Sequence, residues 1–216
     1  TPSNFVPEGR VFRDVYNENG DYIIENLVGT QYHQFVSGTQ WPLLNYNFPP
    51  GVALRLPAGS GLDLNSHYAN KSPQSVTGEV YMNLHTVEES QVQLVAEILQ
   101  LNNDNLLIAP NDTTVISKNY YFDETVHIFQ LFSHAHEHMI EFKVYALGGP
   151  RDGELVYVSY DWEHPPILEL DPALTIEANN GLKIEATYVN EEDRTITFGL
   201  RSTDEMMILF GAYFKI

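Results

Sequence analysis

Apolar and polar residues alternate in short runs along the first part of the chain. The clearest runs are residues 51–56, 61–67 and 76–84, and a shorter one covers residues 21–25. A period of two is typical of β-strands with one buried face. No stretch shows a helical period over several turns, so these runs predict strands.

Longer strand-like runs follow in the second part. They lie at residues 92–101, 125–145, 154–160, 167–170, 182–189, 195–199 and 206–214. Only the run at 92–101 is ambiguous between strand and helix. Short strands separated by Pro, Gly and Asn turns indicate sandwiches. We therefore predict an all-β chain of two consecutive antiparallel, jelly-roll-like β-sandwich domains. The polar step at residues 88–90 separates residues 1–90 from residues 91–216.

The composition of the chain excludes several classes of binding partner and site. The chain has 216 residues, 29 acidic against 11 basic side chains and a net charge of -18, which argues against nucleic acid or an anionic membrane as partner. It contains no cysteine, which excludes disulfides and thiolate metal sites. No apolar run reaches the length of a membrane span. The opening residues lack the pattern of a signal peptide, so we expect a removed leader or a downstream start.

The most informative segment is Phe132-Ser-His-Ala-His-Glu-His-Met139. On a strand, residues two apart share a face, so His134, His136 and His138 are expected to project together. Two imidazoles spaced in this way suit a metal ion, although a solvated polar face is the alternative. Zinc, copper, iron and nickel all accept imidazole, so the spacing does not name the metal.

A methionine far along the chain favours a metal site over a solvated polar face and indicates which metal it holds. Met206 lies in Arg201-Ser-Thr-Asp-Glu-Met-Met207. A methionine in a strand is usually a core residue. A thioether, however, is a soft ligand that selects Cu(I). Two imidazoles with one thioether make a poor zinc site and a good copper site, so the pairing favours copper.

His-Ala-His followed by Ser-Thr-Asp-Glu-Met resembles the type II copper, ascorbate-dependent monooxygenases. This family includes the peptidylglycine α-hydroxylating and dopamine β-type enzymes and bacterial relatives. The resemblance extends over about residues 35–216. It is carried further by residues 40–42 (Gln-Trp-Pro), 49–61, 65–68 (Asn-Ser-His-Tyr), 160–162 (Tyr-Asp-Trp) and 186–194.

The resemblance implies two β-sandwich domains with one copper each, ascorbate as electron donor and hydroxylation of a C–H bond with O2. It implies His134, His136 and Met206 as ligands of the second copper, where oxygen and substrate meet. His67 matches the third ligand of the first copper, or is a hydrogen-bonded strand histidine. Three roles are left open for His138: a further ligand of the second copper, a residue beside the open coordination position of that copper, or a partly exposed histidine.

The sequence departs from the family in two respects. The adjacent His-His pair of the first copper site is absent, so the chain either begins after that pair or lacks the first copper. Phe132, Ile208 and Phe210 replace polar residues that hold a peptide carboxylate, so we expect an apolar cleft that does not bind one.

These observations leave two hypotheses. The first is a copper-dependent monooxygenase, or its truncated core, that acts on an unidentified small molecule or peptide. The second is a non-catalytic copper-binding or ligand-binding sandwich that retains the fold. For either, we expect a secreted or periplasmic protein.

Overall fold

The computed structural model describes residues 13–28, 33–66, 68, 70 and 72–216. The chain divides into two compact units. The smaller unit comprises Thr1–Ser37 and Leu56–Thr86, and the larger unit comprises Gly38–Arg55 and Val87–Ile216. The larger unit therefore includes a segment, residues 38–55, that lies in sequence between the two parts of the smaller unit.

The larger unit contains eleven strands among the described residues. They are β1 (Val52–Leu54), β2 (Leu94–Asn102), β3 (Leu107–Ile108), β4 (Asp112–Tyr121), β5 (Val126–His134), β6 (Met139–Leu147), β7 (Leu155–Ser159), β8 (Leu168–Ile176), β9 (Gly181–Asn190), β10 (Ile196–Thr197) and β11 (Ile208–Phe214).

These strands form two larger sheets and one short pair. The five-stranded sheet has the order β1-β2-β11-β5-β8, the four-stranded sheet has the order β4-β9-β6-β7, and β10 pairs with β3. All pairings are antiparallel except that of β1 with β2. The ambiguous run at 92–101 is thus a strand, because β2 has hydrogen-bonded neighbours on both sides.

The principal core lies where the two larger sheets contribute side chains to one buried cluster. Its fully buried members include Leu131 and Leu209 from the five-stranded sheet and Phe142, Ile184 and Tyr188 from the four-stranded sheet. Strand β9 and the part of β6 from Phe142 onwards bury every second residue in this cluster, as the alternation in sequence predicted, whereas a bulge between Ile128 and Gln130 shifts the alternation in β5. Burying one such side chain contributes about 1.5–3 kcal/mol.

The outer face of the five-stranded sheet carries a second, smaller apolar cluster. Ala96, Phe129 and Ala212 form it, and Tyr46 and Phe48 pack against it. Since Tyr46 and Phe48 belong to residues 38–55, this segment lies across the outer face of the sheet. The same segment also reaches the end of β5 that is formed by His134.

The smaller unit differs from the prediction. Its described residues contain one four-residue helix, α1 (Ile24–Leu27), and an isolated bridge between Tyr16 and Tyr22. The strands predicted at 21–25, 61–67 and 76–84 are absent from the described part of this unit. A strand needs a neighbour for its backbone N–H and C=O groups. Among the described residues, the pairing of the run at 21–25 does not extend beyond the isolated bridge between Tyr22 and Tyr16.

The prediction of a mostly β chain is therefore confirmed, with several sheets and little helix. A second sandwich is not seen in the described residues of the smaller unit. Among the residues that the structure describes, no helix is long and apolar enough to cross a membrane.

Candidate metal centre

The three histidines do not lie on one strand. β5 ends at His134, residues 135–138 form a connection, and β6 begins at Met139. The Met139 amide donates to the His136 carbonyl at 3.1 Å, which closes the turn. The strand-like run at residues 125–145 thus contains two strands, and the prediction that the histidines share one strand is wrong, because here the chain passes from the five-stranded to the four-stranded sheet.

The rings of His134 and His136 nevertheless lie together. Their centroids are 5.3 Å apart and their planes are nearly perpendicular, at 87°. His134 is the last residue of β5, and His136 is buried in the connection that follows. The turn thus brings the two rings together, whereas the sequence predicted that they would be neighbours on one face of a strand.

The hydrogen bond of His134 defines its tautomer. Its Nδ1 lies 2.9 Å from Oε1 of Gln40. The amide of Gln40 is oriented by its own nitrogen, which donates to the Trp162 carbonyl at 2.7 Å. Oε1 therefore faces His134 as an acceptor, and the imidazole Nδ1–H is the donor. In the neutral ring, Nε2 then carries the lone pair.

His136 has the same arrangement with a different partner. Its Nδ1 lies 3.0 Å from the backbone carbonyl oxygen of Asp204, which accepts only. Nδ1–H again donates, and Nε2 again carries the lone pair. Metal-binding histidines usually donate their other ring N–H to a carbonyl or carboxylate, which orients the ring. Both rings therefore have the hydrogen bonding typical of Nε2 metal ligands.

Glu205 joins the two segments that carry these residues. Its side chain is fully buried and accepts three backbone N–H groups. Oε1 accepts from the amides of His136 and Met206, and Oε2 accepts from the amide of His138. Because His136 and Met206 donate to the same oxygen atom, the turn after β5 and the approach to β11 are held side by side.

Burial dominates the ionisation of this carboxyl group. It raises the pKa of Glu205 from 4.5 to about 7, with a smaller contribution from the charge of Glu137. The three amide donors act in the opposite direction, because they stabilise the carboxylate.

Met206 and Met207 have distinct environments. Met207 is fully buried in the principal core, and its sulfur accepts from the Asn103 side-chain amide at 3.5 Å. Met206 is 7% exposed, and the core cluster does not include it. Its carbonyl accepts from the Tyr188 hydroxyl at 2.9 Å. The thioether of Met206, rather than that of Met207, is therefore the one outside the core.

His138 does not share a face with the other two histidines. It is buried, and its Nε2 lies 3.2 Å from Oε1 of Glu192. Its Nδ1 lies 3.8 Å from the nearer oxygen of Glu205. The expectation that three histidines project together is therefore wrong for His138, because the turn directs it towards carboxylates. The predicted first-site residue His67 lies outside the described residues.

The surroundings of His134 on the sheet are apolar. Ile208 is its cross-strand neighbour on β11, and Phe210 pairs with Phe132 in the same way. The rings of Phe132 and Phe210 stack with centroids 5.4 Å apart, and the ring of Phe210 lies 6.3 Å from that of His134. The positions predicted to replace a polar clamp thus form a hydrophobic patch beside the imidazole.

Among the described residues, no group of three or more His, Cys, Asp and Glu side chains could hold a metal ion. A third protein ligand at His134 and His136 would therefore be a residue of another type, and the thioether of Met206 is the candidate that the sequence predicts. Gln40 and Glu205 were not predicted from the sequence as part of the site. Gln40 lies in the Gln-Trp-Pro segment of the resemblance, but no local pattern links it to a residue 94 positions away.

Comparison with known proteins identifies no family. No protein-family model and no curated protein matches the chain. A chain in the structure of infectious bursal disease virus, Gt strain, matches with a TM-score of 0.17 and 13% identity over 62% of this chain. The match spans only 37% of that chain. At this TM-score the similarity carries no argument about fold or function.

Proposed function

We propose that the larger unit binds one copper ion through Nε2 of His134, Nε2 of His136 and the thioether of Met206. The observation that supports this most strongly is the pair of Nδ1 hydrogen bonds to Gln40 and Asp204, which orient both rings in the way that is usual for histidines that bind a metal through Nε2. The donor set of two imidazoles and one soft sulfur fits copper, and Cu(I) in particular. Zinc sites normally use His, Cys or carboxylate ligands instead.

The proposed activity is that of a copper-dependent monooxygenase, or its catalytic core, which hydroxylates a C–H bond with O2 and a reductant such as ascorbate. Copper would supply one-electron redox chemistry and a site for O2. The chain itself would orient the two imidazoles, exclude polar ligands with Phe132 and Phe210, and bind an apolar small molecule or peptide. The proposal also comprises two β-sandwich domains and a secreted or periplasmic location for the protein.

A non-catalytic copper-binding protein is the second candidate. The observation in its favour is the absence of an adjacent His-His pair from the sequence. Hydroxylation needs two electrons, and the resembling enzymes store one on each of two copper ions. Ascorbate-dependent O2 consumption by the copper-loaded protein distinguishes the candidates, since a binding protein should consume no more O2 than free copper at the same concentration.

X-ray absorption spectroscopy of the protein loaded with one Cu(I) tests the binding site. The expected spectrum has two nitrogen scatterers and one sulfur scatterer. Met206→Ile should remove the sulfur signal and weaken Cu(I) binding more than Cu(II) binding, because Cu(II) prefers nitrogen and oxygen.

Met207→Ile is the matched control, and it should retain the sulfur signal because the Met207 thioether is buried against Asn103. A sulfur signal lost in Met207→Ile and kept in Met206→Ile would reject the ligand assignment. A signal unaffected by either substitution would reject the site altogether.

A further inference from the structure

A pocket lies on the outer face of the five-stranded sheet. It has a volume of about 260 Å³ and is formed by the segment over the sheet and by the start of β8. Trp41, Leu43 and Tyr46 contribute from the segment, and Ile167 and Glu169 contribute from the strand side. Leu44 and Asn45 complete the lining, so aromatic and aliphatic side chains stand beside one amide and one carboxylate.

The carboxylate of Glu169 has no basic neighbour in the pocket lining. It lies close enough to Tyr46 that its charge, after burial, contributes to raising the pKa of that phenol. The net charge of -18 adds a negative potential around the whole chain. Both features favour a cationic ligand over an anionic one.

Trp41 is held in place but remains accessible. Its indole N–H donates to the Pro165 carbonyl at 2.9 Å, and its ring packs 4.9 Å from that of His164. The residue still has 43% of its surface exposed. An aromatic ring and a carboxylate that line the same pocket are a combination that suits organic ammonium groups, since the ring face and the carboxylate both attract positive charge.

The carboxylate of this pocket lies away from the His134 end of β5. Glu169 pairs across the sheet with Gln130, which lies four residues before His134 on β5. Four residues of strand correspond to about 13 Å. Glu169 is therefore not part of the donor set proposed for copper, and the pocket can be tested on the protein without metal.

We propose that this pocket binds a small organic cation. The ammonium group lies against the Glu169 carboxylate and the Trp41 ring, and the alkyl part lies against Leu43 and Ile167. This site goes beyond the proposed copper chemistry and stands if that chemistry fails.

The test uses the full chain without metal and two probes of nearly equal shape. Choline carries a quaternary ammonium group, and 3,3-dimethyl-1-butanol replaces its nitrogen with carbon. Titration calorimetry and ligand-observed NMR should show saturable binding of choline and at least tenfold weaker binding of the neutral analogue. Trp41→Ala should weaken choline binding, because it removes the ring.

Glu169→Gln and Glu177→Gln form the matched pair of variants. Both remove one negative charge from an exposed side chain near β8, but only Glu169 lines the pocket. Glu169→Gln should weaken choline binding at least tenfold, and Glu177→Gln should leave it unchanged. Equal affinity for the two probes, equal effects of the two variants, or no saturable binding of choline would each overturn the proposal.

Discussion

Gln40 accepts a hydrogen bond from Nδ1 of His134 across 94 residues of sequence. The same side chain donates to the Trp162 carbonyl, so its oxygen is directed at the imidazole. The segment over the sheet therefore does more than cover apolar surface. It selects the tautomer of the first histidine of the candidate metal centre.

Replacing Gln40 with Leu should weaken Cu(I) binding about 10–100-fold, which is the usual effect of losing such a partner of a metal-binding histidine. Competition with a chromogenic Cu(I) chelator measures the affinity. Gln40→Glu retains an oxygen acceptor and should bind Cu(I) more tightly than Gln40→Leu.

Gln100→Leu is the control for this substitution, since Gln100 is an exposed glutamine of β2 on the same sheet. It should leave the Cu(I) affinity unchanged. Equal losses in Gln40→Leu and Gln100→Leu would show that the hydrogen bond to His134 has no part in binding.

The strands of the larger unit were predictable because their alternation has a buried face to match. β9, for example, buries Leu182, Ile184, Ala186 and Tyr188 in alternation with more exposed residues. The run at 76–84 has the same alternation but forms no strand. Periodicity identifies a face that could be buried, whereas a strand also needs a hydrogen-bonding neighbour, which sequence alone does not supply.

The candidate site was predictable only in part for a similar reason. The spacing of His134 and His136 predicted neighbouring imidazoles, and the rings do lie 5.3 Å apart. Their proximity arises from a turn, which also sends His138 towards Glu192. The contacts made by Gln40 and Glu205 are tertiary, so no local pattern could reveal them.

The cleft beside His134 should reject a peptide carboxylate. Phe132 and Phe210 stack there, and Ile208 is the cross-strand neighbour of His134. Burying a carboxylate without a charged or hydrogen-bonding partner costs several kcal/mol, so hippurate, a mimic of a glycine-extended peptide, should not bind saturably. Titration calorimetry on the copper-loaded protein measures this, and millimolar or tighter binding of hippurate would contradict the prediction.

Gly211 brings β11 and β5 close together. A Cβ atom at this position would lie 2.1 Å from the Gln130 carbonyl oxygen, which is backbone and cannot rotate away. Gly211→Ala should therefore lower the free energy of unfolding by about 1–3 kcal/mol, as other overpacking substitutions do. Urea denaturation measures this change. Ser117→Ala, at an exposed position of the edge strand β4, should change it by less than about 0.5 kcal/mol.

Glu205 should make the stability of the metal-free protein depend on pH. The pKa of its carboxyl group is about 7 in the folded chain against 4.5 as the ordinary value, because the group is buried. The folded state therefore holds this proton more tightly than the unfolded state. Its contribution to stability is fully present below pH 4.5 and is lost as the pH rises to about 7. At about 1.4 kcal/mol per pKa unit, the loss is about 3 kcal/mol.

Urea denaturation between pH 4 and pH 8, with a chelator present, measures this dependence. Glu205→Gln cannot ionise, so its free energy of unfolding should fall less over the same pH range than that of the wild type. The variant should also be less stable at low pH. In the wild type, both carboxyl oxygens of Glu205 accept hydrogen bonds from backbone N–H groups, whereas the side-chain amide nitrogen of the variant is itself a donor and cannot accept them. Glu191→Gln, at an exposed position, should keep the wild-type pH dependence. Parallel pH profiles for wild type and Glu205→Gln would mean that Glu205 ionises in the folded chain as it does in the unfolded one.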